Sequence, residues 1–280
     1  MKERIVTNQA LDSFEKSLIE NEKAQATREK YMRDLRHFAA YAANRPLDKL
    51  LILEYKAALE QSYAIRSANS MLAALNAFLR FMEWHGLCVK QFRVQKDAYC
   101  SEEKELTKDE YAALVRTAEE KKNERLSLVV QTICGTGIRV SELQSITVEA
   151  VRKGEAIVSC KGKTRKIFIV SALRKKLLRY AAEKKISAGI LFVTKSGKPL
   201  DRSNIWREMK ELCAQAGVLP QKVFPHNLRH LFARTFYGIE KDIAKLADIL
   251  GHSNINTTRI YIITTGAEHQ RRMENMRLII

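Results

Sequence analysis

Across its first ninety-two residues the chain carries one proline, Pro46, and one glycine, Gly86. These two residue types punctuate a backbone most strongly, so a segment nearly free of them is held to long helices with short connections. Hydrophobic spacing agrees. Tyr31, Leu35, Phe38 and Ala42 recur three to four apart, as do Leu72, Leu75, Leu79 and Met82, and Leu47 to Leu59 supplies another helical run between them. The expectation is a compact bundle of about four helices over residues 1–92, with Gly86 stopping the last. Glu29, Lys30, Arg33 and Arg36 lie off the apolar stripe. They form either an ordinary solvated face or a surface turned toward phosphates.

From residue 93 to 105 the hydrophobic period disappears, which reads as a linker. A second domain, 106–280, opens with Thr107-x-x-Glu110, a capping-box pattern, and Leu126 to Thr136 is an apolar helical run ending in Gly135-Thr136-Gly137. After Val151 the period switches to two. Ala156–Cys160 and Lys166–Val170 are predicted strands of a hairpin whose basic tip is Lys161-Gly162-Lys163-Thr164-Arg165. Helices then dominate, interrupted around Gly197-Lys198-Pro199 and Leu219-Pro220. The fold class expected is mainly α with a small β-sheet: an N-terminal helical bundle followed by a mixed α+β domain.

The 280 residues include 49 Lys+Arg against 32 Asp+Glu, a net charge of +17, and 46% hydrophobic residues, enough to fill real cores and to exclude disorder. From Lys161 to Lys185 ten basic residues face the single acid Glu183. Such an excess points to a polyanionic partner, because clustered Lys/Arg release the counterions condensed on a phosphate backbone. No apolar stretch approaches the ~18 residues of a membrane span. Cys88, Cys100, Cys134, Cys160 and Cys213 are odd in number and lack a C-x-x-C pair, which argues against disulfides and thiolate zinc and predicts reduced, mostly buried thiols. A cytoplasmic protein that binds nucleic acid is expected.

Four segments carry chemistry. In Phe224-Pro225-His226-Asn227-Leu228-Arg229-His230, Pro225 suits a first helical turn, with Leu228, Leu231, Phe232, Phe236 and Ile239 on a buried stripe and His226, Arg229 and His230 on another face. Near a helix N-terminus an imidazole beside a guanidinium suits an anion; incidental charge on a capped surface helix is the other reading. His226 and His230 have the spacing of two metal ligands, but Asn227 stands where a metalloprotease needs Glu, and no third ligand is evident. Gly135-Thr136-Gly137-Ile138-Arg139 leads into a predicted helix in which Glu142 can orient Arg139 from the same face, or merely form a surface pair. Last, Leu250-Gly251-His252 and Thr257-Thr258-Arg259-Ile260-Tyr261 place a His and a Tyr nine residues apart.

Taken in order, "GTGIRVSEL", "KGKTRK", "PHNLRH" and "LGHSNINTTRIY" resemble the active-site segments of the tyrosine recombinases, also called the phage-integrase family. The resemblance covers residue 106 onward by motif. The helical first third matches the family's core-binding domain by layout, closest to simple Xer-type two-domain enzymes. Strand cleavage without a metal needs a nucleophile, charge neutralisation at phosphorus and an acid for the departing sugar oxygen. The resemblance implies Tyr261 as nucleophile forming a 3′-phosphotyrosine, Arg139 and Arg229 gripping the non-bridging oxygens, and His252 donating a further hydrogen bond. His226 would handle the tyrosine proton, and Glu142 would support Arg139. The acid is a hairpin lysine: a Lys directly before the turn Gly points to Lys161, with Lys163 as the alternative. Tyr180 and Tyr237 compete only on composition.

The family further implies no cofactor, no metal and no membrane. Its partner would be double-stranded DNA with specific recombination sites, gripped from both sides by two domains. A homo-tetramer on two sites would exchange strands through a Holliday junction, coupled by the apolar tail Met273, Met276, Leu278, Ile279 and Ile280. Such an enzyme serves mobile-element integration and excision or replicon resolution; nothing in the residues names a directionality factor. The reading from another class is a non-catalytic DNA-binding regulator or accessory protein using the same basic cleft.

Overall fold

The computed structural model describes residues 4–94, 104–160, 163–194, 196–261 and 273–276. It divides into two compact units, Met1–Lys96 and Asp97–Ile280.

The first unit is helical: α1 (Asn8–Glu20), α2 (Gln25–Ala42), α3 (Lys49–Ser62), α4 (Ile65–Phe81) and a 3-10 turn, His85–Leu87. Thr7 and Asp48 cap α1 and α3 by accepting from Ala10 N and Leu51 N. Leu35, Phe38, Ile52, Leu72 and Phe78 are fully buried, and Phe38 meets Tyr55 edge-on at 4.9 Å. Gly86 does not stop α4. The helix ends at Phe81, and Glu83 takes the left-handed conformation at φ 60° while the Trp84 amide closes back onto Leu79 O at 2.8 Å. Trp84, half-buried, packs edge-on against Phe78, and this packing sets the stop. On α2, Lys30 pairs with Asp34 and Arg33 lies 3.6 Å from the same carboxylate.

The second unit opens with α5 (Lys108–Glu120), whose Thr107–Glu110 capping box forms as the sequence predicts. Then come α6 (Glu124–Thr136), a 3-10 turn (Val140–Ser145), α7 (Val148–Lys153), strands β1 (Glu155–Cys160) and β2 (Lys163–Phe168), and α8 (Ser171–Glu183). The chain continues through α9 (Arg202–Lys210), α10 (Cys213–Ala216), α11 (Pro225–Glu240), α12 (Ile243–Leu250) and α13 (Ile255–Arg259). Val129, Ile133, Ile138, Ile146, Leu177, Phe192 and Leu228 form the core between α6, α8 and α11. Lys104 and Glu105, in the stretch read as linker, lie along α11: Asn227 Nδ2 donates to Lys104 O at 2.7 Å, and Arg234 Nη2 stands 2.9 Å from Glu105 Oε2.

The hairpin differs from its prediction. β1 and β2 are antiparallel with Ala156 opposite Ile167, Val158 opposite Arg165 and Cys160 opposite Lys163. Residues 163–165 thus belong to the strand and not to the tip. Arg165 shares the side of β2 that buries Ile167, because side chains alternate along a strand. Ile169 and Val170 leave the sheet, Val170 standing immediately before α8.

Three further expectations are corrected. Ile239 is exposed at the end of α11, beyond the point where the helix packs on α6. Among the described thiols only Cys213 is buried, Cys88 and Cys134 being half-buried because they sit at the rims of the cores; Cys100 and the Cys160 side chain lie outside the described residues. Arg139 precedes a 3-10 turn and not an α-helix. Met273 and Met276 are exposed, and Leu278, Ile279 and Ile280 lie outside the described residues. Among the described residues no helix is long and apolar enough to cross a membrane.

Candidate active site

Arg229 is the point at which the separated segments meet. Pro225 starts α11, and one turn later the Arg229 side chain is 2% exposed, not on an open helix face. Its Nη1 donates to Gly137 O, and its Nη2 donates to Leu250 O at 2.7 Å and contacts His252 Nε2 at 3.0 Å. One guanidinium therefore joins the turn before Arg139, the helix carrying the two other histidines and the end of α12. Gly137 permits this approach: at φ +64° it closes α6, and a Cβ there would stand 2.5 Å from Phe232 Cδ1. Burial, then the Arg139 charge, lowers the Arg229 pKa to about 10, so it stays cationic at neutral pH.

His252 is fixed by its neighbours. A guanidinium only donates, so Nε2 accepts from Arg229 and the ring proton sits on Nδ1, which donates to Thr258 Oγ1 at 2.9 Å. Donation from Nε2 to an anion requires the ring to release Arg229 or gain a proton, and burial followed by the charges of Arg229, Arg139 and Arg165 holds its pKa near 4. Thr258 is fully buried and its carbonyl accepts from Tyr261 N at 2.9 Å, so α13 carries Tyr261 in against His252.

Tyr261 is buried among aromatic rings. His230 stacks on it at 4.2 Å, His252 lies 5.2 Å away and His226 5.3 Å, all between ring centroids. The Arg229 guanidinium carbon stands 6.0 Å from the phenol ring centre. Ala233, Leu246 and Leu250 complete the pocket, with Phe232, Phe236 and Tyr237 packed around it. Desolvation first, then Arg229, Arg202 and Arg139, lowers the His226 pKa. His230 falls to about 3 for the same leading reason, helped by His226. All three imidazoles are neutral at pH 7. His226 and His230 face each other edge-on at 4.8 Å, and among the described residues no group of three His, Cys, Asp or Glu side chains is placed to hold a metal ion.

Arg139 is held by Glu142. The carboxylate accepts from Arg139 N at 2.8 Å and from Nη1 at 3.0 Å, a capping box around the 3-10 turn. It is buried, and a second guanidinium grips it: Arg165 Nη1 to Oε1 at 2.8 Å and Nη2 to Oε2 at 2.7 Å. Burial raises the Glu142 pKa, but the hydrogen bonds from Arg165 and the Arg139 backbone outweigh it and leave it at about 2. By sequence alone Arg165 falls in the hairpin tip with no task; the strand parity it shares with Ile167 and Ile169 is the signal that finds it. His230 as the platform under Tyr261 was also missed, although it lies one turn beyond His226. Tyr180 is buried in the main core and Tyr237 packs behind Tyr261. Lys161 lies outside the described residues, and of Lys163 only the backbone, paired with Cys160, is described.

Arginines and imidazoles gathered around one phenol form a set suited to phosphoryl transfer, and comparison with known proteins agrees. The description "Phage integrase family" matches residues 104–267, and "Phage integrase, N-terminal SAM-like domain" matches residues 11–86. Tyrosine recombinase XerA of Pyrococcus horikoshii is 31% identical over 81% of this chain and 80% of its own length. Tyrosine recombinase XerD of Pseudomonas aeruginosa is 30% identical over 89% of this chain and 88% of its own. Among solved structures, a lambda integrase tetramer bound to a Holliday junction superposes with a TM-score of 0.75 at 19% identity, covering 93% of this chain and 78% of that one. Matched along most of its length and in the order of its motifs, the chain belongs to the phage integrase family, the tyrosine recombinases.

Proposed function

We propose that the chain is a site-specific DNA recombinase that breaks and rejoins strands without a metal ion. The observation that carries this reading is the Arg229 guanidinium, which draws the Gly137, Leu250 and His252 segments together 6.0 Å from the Tyr261 ring.

In the proposed reaction Tyr261 Oη attacks the scissile phosphorus while the bond to the 5′ oxygen breaks. The phenol proton passes to neutral His226, and Lys161, or Lys163 in its place, protonates the departing 5′ oxygen. Arg139 neutralises charge on the non-bridging oxygens, and Arg229, whose Nη groups are engaged with carbonyls, holds His252 and adds its charge to the same region. The 3′-phosphotyrosine keeps the energy of the broken bond, so attack by another strand's 5′ hydroxyl reverses the step and rejoins DNA. Four copies on two duplexes, exchanging strands through a Holliday junction and coupled through the C-terminal tail, complete the proposal; residues 1–92 and 104–280 act as the two DNA-gripping domains, joined by 93–103, since Lys104 and Glu105 pack on α11.

The test is to incubate the full chain with a random-sequence duplex library and recover covalent protein–DNA adducts. Wild type gives an adduct joined at Tyr261, Tyr261→Phe gives none while still shifting DNA in a gel, and a chelator leaves the yield unchanged. Binding without any adduct would favour the regulator reading. Loss of adduct in chelator would show that the step needs a metal.

A further inference from the structure

Arg165 joins β2 to two other segments of the site. Its Nη1 and Nη2 form a two-pronged pair with Glu142, and its Nε donates to Ile249 O at 3.0 Å, so every nitrogen of the guanidinium is engaged. Its side chain also crosses Gly251, the residue before His252: a Cβ on Gly251 would stand 2.9 Å from Arg165 Cδ and 3.1 Å from Nη1. Arg165 is 12% exposed and Glu142 3%. Glu142 in turn holds Arg139 by backbone and side chain, while Arg139 itself remains 30% exposed and able to reach an anion.

We infer that Arg165 is a positioning residue for strand transfer: through Glu142 it fixes the Arg139 guanidinium, and through Ile249 and Gly251 it pins the hairpin to the turn that carries His252. Glu142 alone would cancel Arg139, leaving the pair neutral; with two arginines on one carboxylate the group carries a net positive charge, and Arg139, the more exposed of the two, presents it to the phosphate. The geometry also excludes substitution by lysine, because an ammonium cannot bind both carboxylate oxygens and a carbonyl in one plane.

This inference rests on the strand-transfer reading, and its test separates the two. The probe is a duplex recovered by wild type in the adduct selection, made with its scissile phosphate either native or as a methylphosphonate, which lacks one charged oxygen and so needs less neutralisation. Adduct rate and gel-shift affinity are measured for the full-length wild type, Arg139→Ala, Arg165→Gln and Arg165→Lys. On native DNA, Arg165→Gln slows adduct formation about 100-fold, the scale of losing one charge-stabilising donor, while affinity changes less than about threefold. Arg165→Lys recovers less than about tenfold of that loss. The methylphosphonate restores Arg165→Gln in proportion to Arg139→Ala, a rescue that a merely structural defect would not give.

An Arg165→Gln rate within twofold of wild type overturns the inference. So does a slow Arg165→Gln that the methylphosphonate leaves slow while it rescues Arg139→Ala. If Arg165→Gln does not fold, the same comparison on Arg165→Lys decides. Wild type that forms no adduct on any duplex overturns the strand-transfer reading, and the positioning role with it.

Discussion

His230 and His252 are held neutral against a protein that is otherwise strongly cationic, and this has a consequence in acid. In the unfolded chain a histidine takes up its proton near pH 6.5, whereas in the folded site His252 resists until about 4 and His230 until about 3. Below 6.5 the unfolded state therefore binds more protons, and the stability these residues contribute at neutral pH is lost as the pH falls toward 3. Glu105 works in the opposite direction, because burial raises its carboxyl pKa and folding then favours the protonated acid. The histidines dominate between 6.5 and 5. Urea midpoints should fall across that interval, and His230→Phe, which keeps a ring stacked on Tyr261, should flatten the decline by about 2 kcal/mol. An unchanged slope would show that His230 titrates normally. Neither the burial of Arg229 nor the stack of His230 on the phenol was legible in the sequence, where both read as residues on a polar helix face. Their neighbours come from α12, α13 and the Gly137 turn, and only those packed elements remove the water.

At the scale of elements, local signals served where local physics decides. The Thr107–Glu110 box, the Gly137 stop of α6 and Pro225 opening α11 all depend on a few adjacent residues, and all were legible. Where side-chain packing decides, the local signal misled: Trp84, six positions after Phe78, docks on it and α4 ends before Gly86, and Arg165, whose partner Glu142 lies 23 positions back, belongs to β2 and not to the tip. Gly251 and Gly189 separate the two kinds of effect. Both have positive φ, +67° and +78°, but only Gly251 faces a neighbour, Arg165. Gly189→Ala should cost about 1 kcal/mol for backbone strain alone. Gly251→Ala should cost about 2 to 3 kcal/mol and also lower the adduct rate, since Arg165 must move. Chemical denaturation together with adduct rates checks both; equal behaviour of the two variants would remove Gly251 from the site.

For the whole molecule the net charge of +17 acts through the DNA backbone. Affinity for duplex should fall linearly in a log–log plot against salt, with a loss of about 10³-fold or more between 50 and 200 mM. Filter binding across that range checks it; a flat response would mean that the basic residues serve internal pairing only. The sequence by itself determined the helical first domain, the hairpin's existence and the residue types of the site, because periodicity, caps and ordered motifs are written in neighbouring residues. The tertiary structure alone decided that Arg165 claims Glu142 from 23 positions away and that Arg229 reaches Gly137 from 92. Such pairings form only when the cores of α6, α11 and the hairpin close, since it is burial, not proximity along the chain, that makes a guanidinium find its partner.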